Sequence, residues 1–138
     1  MNDIKPLSNL SILTKLDLGG NEIGNINPLS NLLNLKSLDI SDNKIHSLEP
    51  LKSLKNLEAL DIGENNLSDL TPLKELSKLQ NLNCEFKDKS GHLLDFTPLA
   101  SLPKLQKLNV CYFSDRDGGI HIPTEEQIGE IKKILPHV

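Results

Sequence analysis

The sequence predicts an α/β solenoid: stacked coils with a parallel sheet on the concave face, short 3-10 or extended convex returns, and a C-terminal capping helix. Three observations carry this. Nine positions recur in register every 22 residues over three consecutive copies. In each copy two apolar residues sit two apart, as Leu16 and Leu18, Leu38 and Ile40, and Leu60 and Ile62. A proline then returns at one fixed place, as Pro28, Pro50 and Pro72. A copy this short cannot bury its own apolar face, so the copies must stack.

The chain enters in mid-repeat, since Ile4, Pro6, Leu7 and Leu10 match Ile26, Pro28, Leu29 and Leu32. No separate amphipathic segment precedes them, so the leucines of the first coil are expected to be partly open and to support weak self-association. The first full copy reads Leu13-x-x-Leu16-x-Leu18-x-x-Asn21-x-Ile23-x-x-Ile26-x-Pro28-Leu29-x-x-Leu32. Leu16 and Leu18 alternate as in a short strand with one buried face. Asn21, Asn43 and Asn65 follow the strands, where an amide can pair backbone groups that the inward turn leaves open, so they are read as structural. The prolines open the return, because a fixed φ and a missing donor suit the first position of a helical turn.

The fourth coil starts in register with Leu79, Leu82 and Cys84, carries an insertion at 85–92, and resumes at Leu93, Phe96, Pro98, Leu99 and Leu102. No asparagine fills the ladder slot there. The fifth coil begins with Leu105, Leu108 and Val110 and leaves the pattern at Phe113. Residues 114–119 read as a turn, and 120–122 as a short extended piece that could pair back on the sheet. Thr124 and Gln127 have capping-box spacing, and Ile128, Ile131, Ile134 and Leu135 form one apolar stripe, so a helix is predicted over 124–135. Residues 1–138 are expected to form a single domain, with repeats over about 4–113 and a C-terminal cap over 114–138.

Composition narrows function. Fifteen Lys and Arg stand against 19 Asp and Glu, net −4, with the signs interspersed. That charge does not suit a nucleic-acid surface. No run of 18 apolar residues is present, so no membrane span is read, and the first residues lack the basic-then-apolar order of a signal peptide. The expected location is cytoplasmic, or secreted or cell-surface if a leader has been removed. Asn9-Leu10-Ser11 and Asn66-Leu67-Ser68 fit the glycosylation pattern, which Asn-rich repeats generate by chance. Cys84 falls in a buried column and Cys111 in an outward one, so reduced thiols are expected. The four histidines have no ligand spacing, and Asp115-x-Asp117-Gly118 is a turn whose next positions do not suit a calcium loop. No catalytic motif, phosphate loop or zinc-ligand pair is found, and neither an enzyme nor a cofactor is predicted.

What the sequence offers is a surface. Residues alternating with the buried ones form a column of Asp17, Asp39, Asp61, Asn83 and Asn109. Carboxylates about 4.8 Å apart repel one another and would welcome a basic partner or a cation. The competing reading is that Leu-Asp-Leu is simply how such a strand is written, with a solvated aspartate. Counting on, the next outward column is Gly20, Asp42, Glu64, Phe86 and Tyr112, turning from acidic to aromatic toward Glu85 and the insertion. Phe86 and Tyr112 are candidate anchors, or else packing residues beneath the insertion and the C-terminal segment.

The pattern of residues 13–32 resembles the 22-residue class of leucine-rich repeats, found in bacterial internalins and in a eukaryotic phosphatase regulatory subunit. Pro28-Leu29-Ser30-Asn31-Leu32 and Leu38-Asp39-Ile40-Ser41-Asp42-Asn43 are especially internalin-like, which favours a bacterial source. The resemblance covers about residues 4–110. It implies a curved, cofactor-free solenoid binding a protein partner on its concave face. The alternatives are a structural segment of a longer array, and a regulatory subunit or inhibitor of an enzyme or toxin.

Overall fold

The computed structural model describes residues 1–84, 94–110, 112–113, 120–121 and 125–138. Five three-residue strands, β1 (Lys15–Asp17), β2 (Ser37–Asp39), β3 (Ala59–Asp61), β4 (Asn81–Asn83) and β5 (Lys107–Asn109), form one parallel sheet in chain order. Five-residue 3-10 returns alternate with the strands: Lys5–Asn9 precedes β1, and Asn27–Asn31, Glu49–Ser53, Thr71–Glu75 and Thr97–Ser101 come after β1 to β4. A proline stands in the first positions of all five returns. Equivalent residues pair from coil to coil, with Leu16 opposite Leu38, Leu38 opposite Leu60, and Leu60 opposite Leu82. The ladder runs past the strands, since Leu18, Ile40, Ile62 and Cys84 each donate a backbone N–H to the next coil.

The core is one file of Leu and Ile running from Ile4 to Leu105, with Cys84 and Phe96 in it. The helix α1 (Glu125–Ile134) lies at its C-terminal end, where Leu135 is buried and Ile131 and Ile134 pack against the core. Glu125 and Glu126 lie in its first turn and Lys132 and Lys133 in its last, each placed favourably for the helix dipole. The expected capping residue Thr124 lies outside the described residues. The extended piece near 120 pairs differently from the expectation: β7 (Ile120–His121) runs antiparallel to β6 (Tyr112–Phe113), in a separate two-stranded sheet.

Asparagines tie coil to coil. The Asn43 amide donates to Leu18 O at 2.9 Å, Ser41 O at 2.9 Å and Ile40 O at 3.2 Å, and its Oδ1 accepts the Ile23 N–H at 2.9 Å. Asn65 repeats this one coil later, donating to Ile40 O, Ile62 O and Gly63 O and accepting from Ile45 N. At Asn21 the Oδ1 accepts instead from the Met1 α-amino group at 2.9 Å. A second row stands before the strands, where Asn34 donates to Ser11 O and Asn56 to Leu33 O.

A third row opens the returns. Asp3, Asn25, Asp69 and Asp95 each accept, through Oδ1, the backbone N–H two residues on, at 2.8–3.0 Å. Ser47 does the same through its hydroxyl at 3.3 Å. These short turns fill donors that a 3-10 start leaves open. Hydrogen bonds from Thr71 hold the Asp69 carboxyl below its ordinary range, and those from Thr97 do the same for Asp95. A carboxyl whose folded value is depressed contributes stability above its unfolded value, near pH 4, and loses it as the pH falls through the folded value. Asp69→Asn keeps the acceptor and removes the titration. Melting temperature followed from pH 6 to pH 2 should therefore fall less steeply in Asp69→Asn than in the parent. Parallel curves would show that Asp69 gives the fold no pH dependence.

Candidate concave interaction surface

The strands aim their alternate residues onto the concave face. Their register places Asp17, Asp39, Asp61, Asn83 and Asn109 in one row. A neighbouring row holds Lys15, Ser37, Ala59, Asn81 and Lys107. Between them lies an open trough of about 590 Å³ crossing all five strands, with Val138 on its lining.

The aspartates have local work. Asp17 Oδ1 accepts the Gly19 N–H at 3.0 Å, Asp61 Oδ1 the Gly63 N–H at 2.9 Å, and Asp39 Oδ1 both the N–H and the hydroxyl of Ser41. Each therefore helps to end its strand. Asn83 continues the row with an uncharged amide, whose Nδ2 donates to Asp61 Oδ2 at 2.7 Å. The row thus accepts an amide, and the charge on Asp17, Asp39 and Asp61 exceeds what the strand needs.

Elsewhere on the surface, four of the described carboxylates are paired with lysines. Glu22 meets Lys44 at 3.0 Å, Glu49 meets Lys52 at 2.7 Å, Glu75 meets Lys55 at 2.6 Å, and Glu58 meets Lys36 at 3.7 Å. The Lys44 ammonium holds the Glu22 carboxyl below its ordinary range, and Lys55 does so for Glu75. Among the described residues, no such ion pair reaches Asp17, Asp39 or Asp61. Nor do the described residues contain a group of His, Cys, Asp and Glu arranged to hold a metal ion. No described helix is long and apolar enough to cross a membrane.

The other expected column is displaced. Gly20, Asp42 and Glu64 have φ values of 68°, 49° and 54°, in the left-handed region, so they form the turn after each strand. The concave row beside the aspartates is Gly19, Ser41 and Gly63, and a Cβ built on Gly19 would meet Asp39 Oδ1 and Ser41 Oγ at 3.2 Å. Asp42 and Glu64 therefore sit at the rim of the trough, not on its floor. Glu85, Phe86, the insertion at 85–92 and Cys111 lie outside the described residues. Tyr112 is placed in β6 by its backbone alone. The coil-to-coil and return-opening rows of Asn34, Asn56, Asp69 and Asp95 escaped the sequence reading. The same 22-residue spacing would have found the return-opening row had Asn, Asp and Ser been counted as one class.

The family described as Leucine Rich repeats (2 copies) matches residues 13–53 and 33–75. No curated protein sequence matches the chain. Among solved structures, internalin C2 of Listeria monocytogenes is 34% identical, with a TM-score of 0.68, over 80% of this chain and 49% of that one. A second Listeria monocytogenes internalin (inlF) is 32% identical, with a TM-score of 0.70, over 79% of this chain and 31% of that one. A leucine-rich-repeat protein of Leptospira interrogans is 25% identical, with a TM-score of 0.73, over 99% of this chain and 33% of that one. The chain thus spans half or less of the length of each of these proteins.

Proposed function

Given that the chain is an internalin-like leucine-rich-repeat protein of the 22-residue class, we propose that it binds a basic protein partner on its concave sheet. Proteins of this class typically mediate protein–protein interaction. The observation that carries the reading is that three carboxylates stand in register on neighbouring strands with no lysine paired to them among the described residues. Four carboxylates elsewhere on the surface have a lysine partner, while the Asp17, Asp39 and Asp61 row has no such ion pair among the described residues. The rigid sheet behind the row fixes the three carboxylates in space, so a partner pays little ordering entropy on this side. Asp42, exposed in the turn after β2, extends the acidic field. Such a field raises the association rate more than it lowers the dissociation rate, and it is screened by salt. A solenoid of this class acts here as a docking platform, not as a catalyst.

Affinity capture from source-cell extract tests the reading, comparing the parent chain with Asp17→Asn/Asp39→Asn/Asp61→Asn. The variant keeps each strand-ending acceptor, so its melting temperature should stay close to the parent's. The parent should retain a basic protein that elutes as salt is raised, and the variant should retain several-fold less. Equal retention by both would remove the acidic row from the binding surface.

A further inference from the structure

We infer that the outer edge of β1 pairs antiparallel with β1 of a second copy, about a two-fold axis through Leu16. Thr14 accepts hydrogen bonds from Lys36 and Ser37, and Leu18 donates to Asp39, so these residues turn their backbone toward β2. By the alternation of a ladder, Lys15 and Asp17 turn theirs outward. Among the described residues no strand covers that side. At the other end of the stack Leu135 is buried and Ile131 and Ile134 of α1 pack against the core, so the two ends differ, and an edge that pairs with its own copy closes the assembly at two chains.

The charge order selects this register. β1 reads Lys15-Leu16-Asp17, so pairing Leu16 with Leu16 sets each Lys15 opposite Asp17 of the copy, in both directions. β2, β3, β4 and β5 read Ser-Leu-Asp, Ala-Leu-Asp, Asn-Leu-Asn and Lys-Leu-Asn, and none of them has this symmetry. Opposite charges directly across an antiparallel pair stabilise it, and like charges oppose it.

Two more departures of the first coil agree. Ile12 is 85% exposed where the second and third coils carry Asn34 and Asn56, and Leu10, two residues before it, is 43% exposed. The turn after β1 is Gly19-Gly20, and a Cβ built on Gly20 would meet nothing within 4 Å. The two-fold axis brings Ile12 of each copy toward that bare turn of the other. Leu7, Leu13 and Leu16, only partly buried in one copy, would be covered together.

Sedimentation equilibrium over a concentration series tests the pairing. The parent should dimerise. Lys15→Asp sets Asp against Asp, and Asp17→Lys sets Lys against Lys, so each variant alone should dimerise at least about tenfold more weakly. The exchange Lys15→Asp/Asp17→Lys restores opposite pairs and should restore the dimer. Mixing the two single variants should also give a heterodimer tighter than either homodimer. Melting curves check that each variant folds: the position of Lys15 holds Ser, Ala, Asn or Lys in β2 to β5, whereas that of Asp17 holds only Asp or Asn, and Asp17→Lys also removes the acceptor of the Gly19 N–H. A parent that stays monomeric throughout the series, or variants that dimerise as well as the parent, would overturn the proposal.

Discussion

Phe96→Ala should lower stability by about 3–5 kcal/mol, the range for removing a large buried aromatic side chain. Phe96 is 2% exposed and is the largest of the fully buried side chains. It stands in the row Ile4, Ile26, Leu48, Leu70, Phe96, immediately before the prolines' returns. Earlier coils fill that slot with a smaller branched aliphatic side chain, Ile4, Ile26, Leu48 or Leu70. Phe96→Leu should accordingly cost less, within about 1.5 kcal/mol, because a shape change in the core is tolerated better than a void. The loss should also fall mainly on the C-terminal coils. Neighbouring coils are the units of contact in a stack, and a weak link there uncouples α1 and β5 before the first three coils. Urea unfolding followed by far-ultraviolet circular dichroism gives the totals. Amide exchange gives their distribution along the chain.

Asn43→Ala should cost about 2–3 kcal/mol, since it removes four hydrogen bonds at once and leaves buried groups unpaired. Ile23, whose N–H the side chain accepts, is fully buried, and Asn43 itself is 8% exposed. The lost bonds join two coils, at Leu18 and at Ile40, so stacking and turn are weakened together. Asn21→Ala should cost less, because its Oδ1 partner is the exposed Met1 ammonium, which water can satisfy. Exposed Asn66 should tolerate alanine within about 0.5 kcal/mol. The order Asn43 above Asn21 above Asn66, measured by urea denaturation, is the expected outcome. Equal costs at Asn43 and Asn66 would show that the amide ladder adds nothing to stacking.

Particular residues show how far the sequence could be read. Columns repeated with one residue type, such as Leu16, Leu38 and Leu60, can be read directly, since a buried aliphatic has few substitutes. Columns repeated with one chemistry in several residues are harder. Asp3, Asn25, Ser47, Asp69 and Asp95 do one job, accepting a backbone N–H, and any short side chain with an oxygen can do it. The aspartate row of the sheet is legible, because alternation within a strand is exact in period. The row through Asp42 and Glu64 is not, because a left-handed residue after each strand breaks that alternation. The pairing of β7 with β6 depends on which of two nearby edges a short strand meets, and local pattern carries no such information. The helix is read to within one residue at each end, over Glu125–Ile134, since its stripe of isoleucines has a helical period.

The decisive measurement is amide-shift mapping on the isotopically labelled chain, with the captured basic partner added stepwise. Binding on the concave face predicts that the largest shifts cluster on Lys15–Asp17, Ser37–Asp39 and Ala59–Asp61 and fade as salt is raised. Shifts confined to the convex returns, at Asn27–Asn31 and Glu49–Ser53, with the three aspartate strands unmoved, would contradict it.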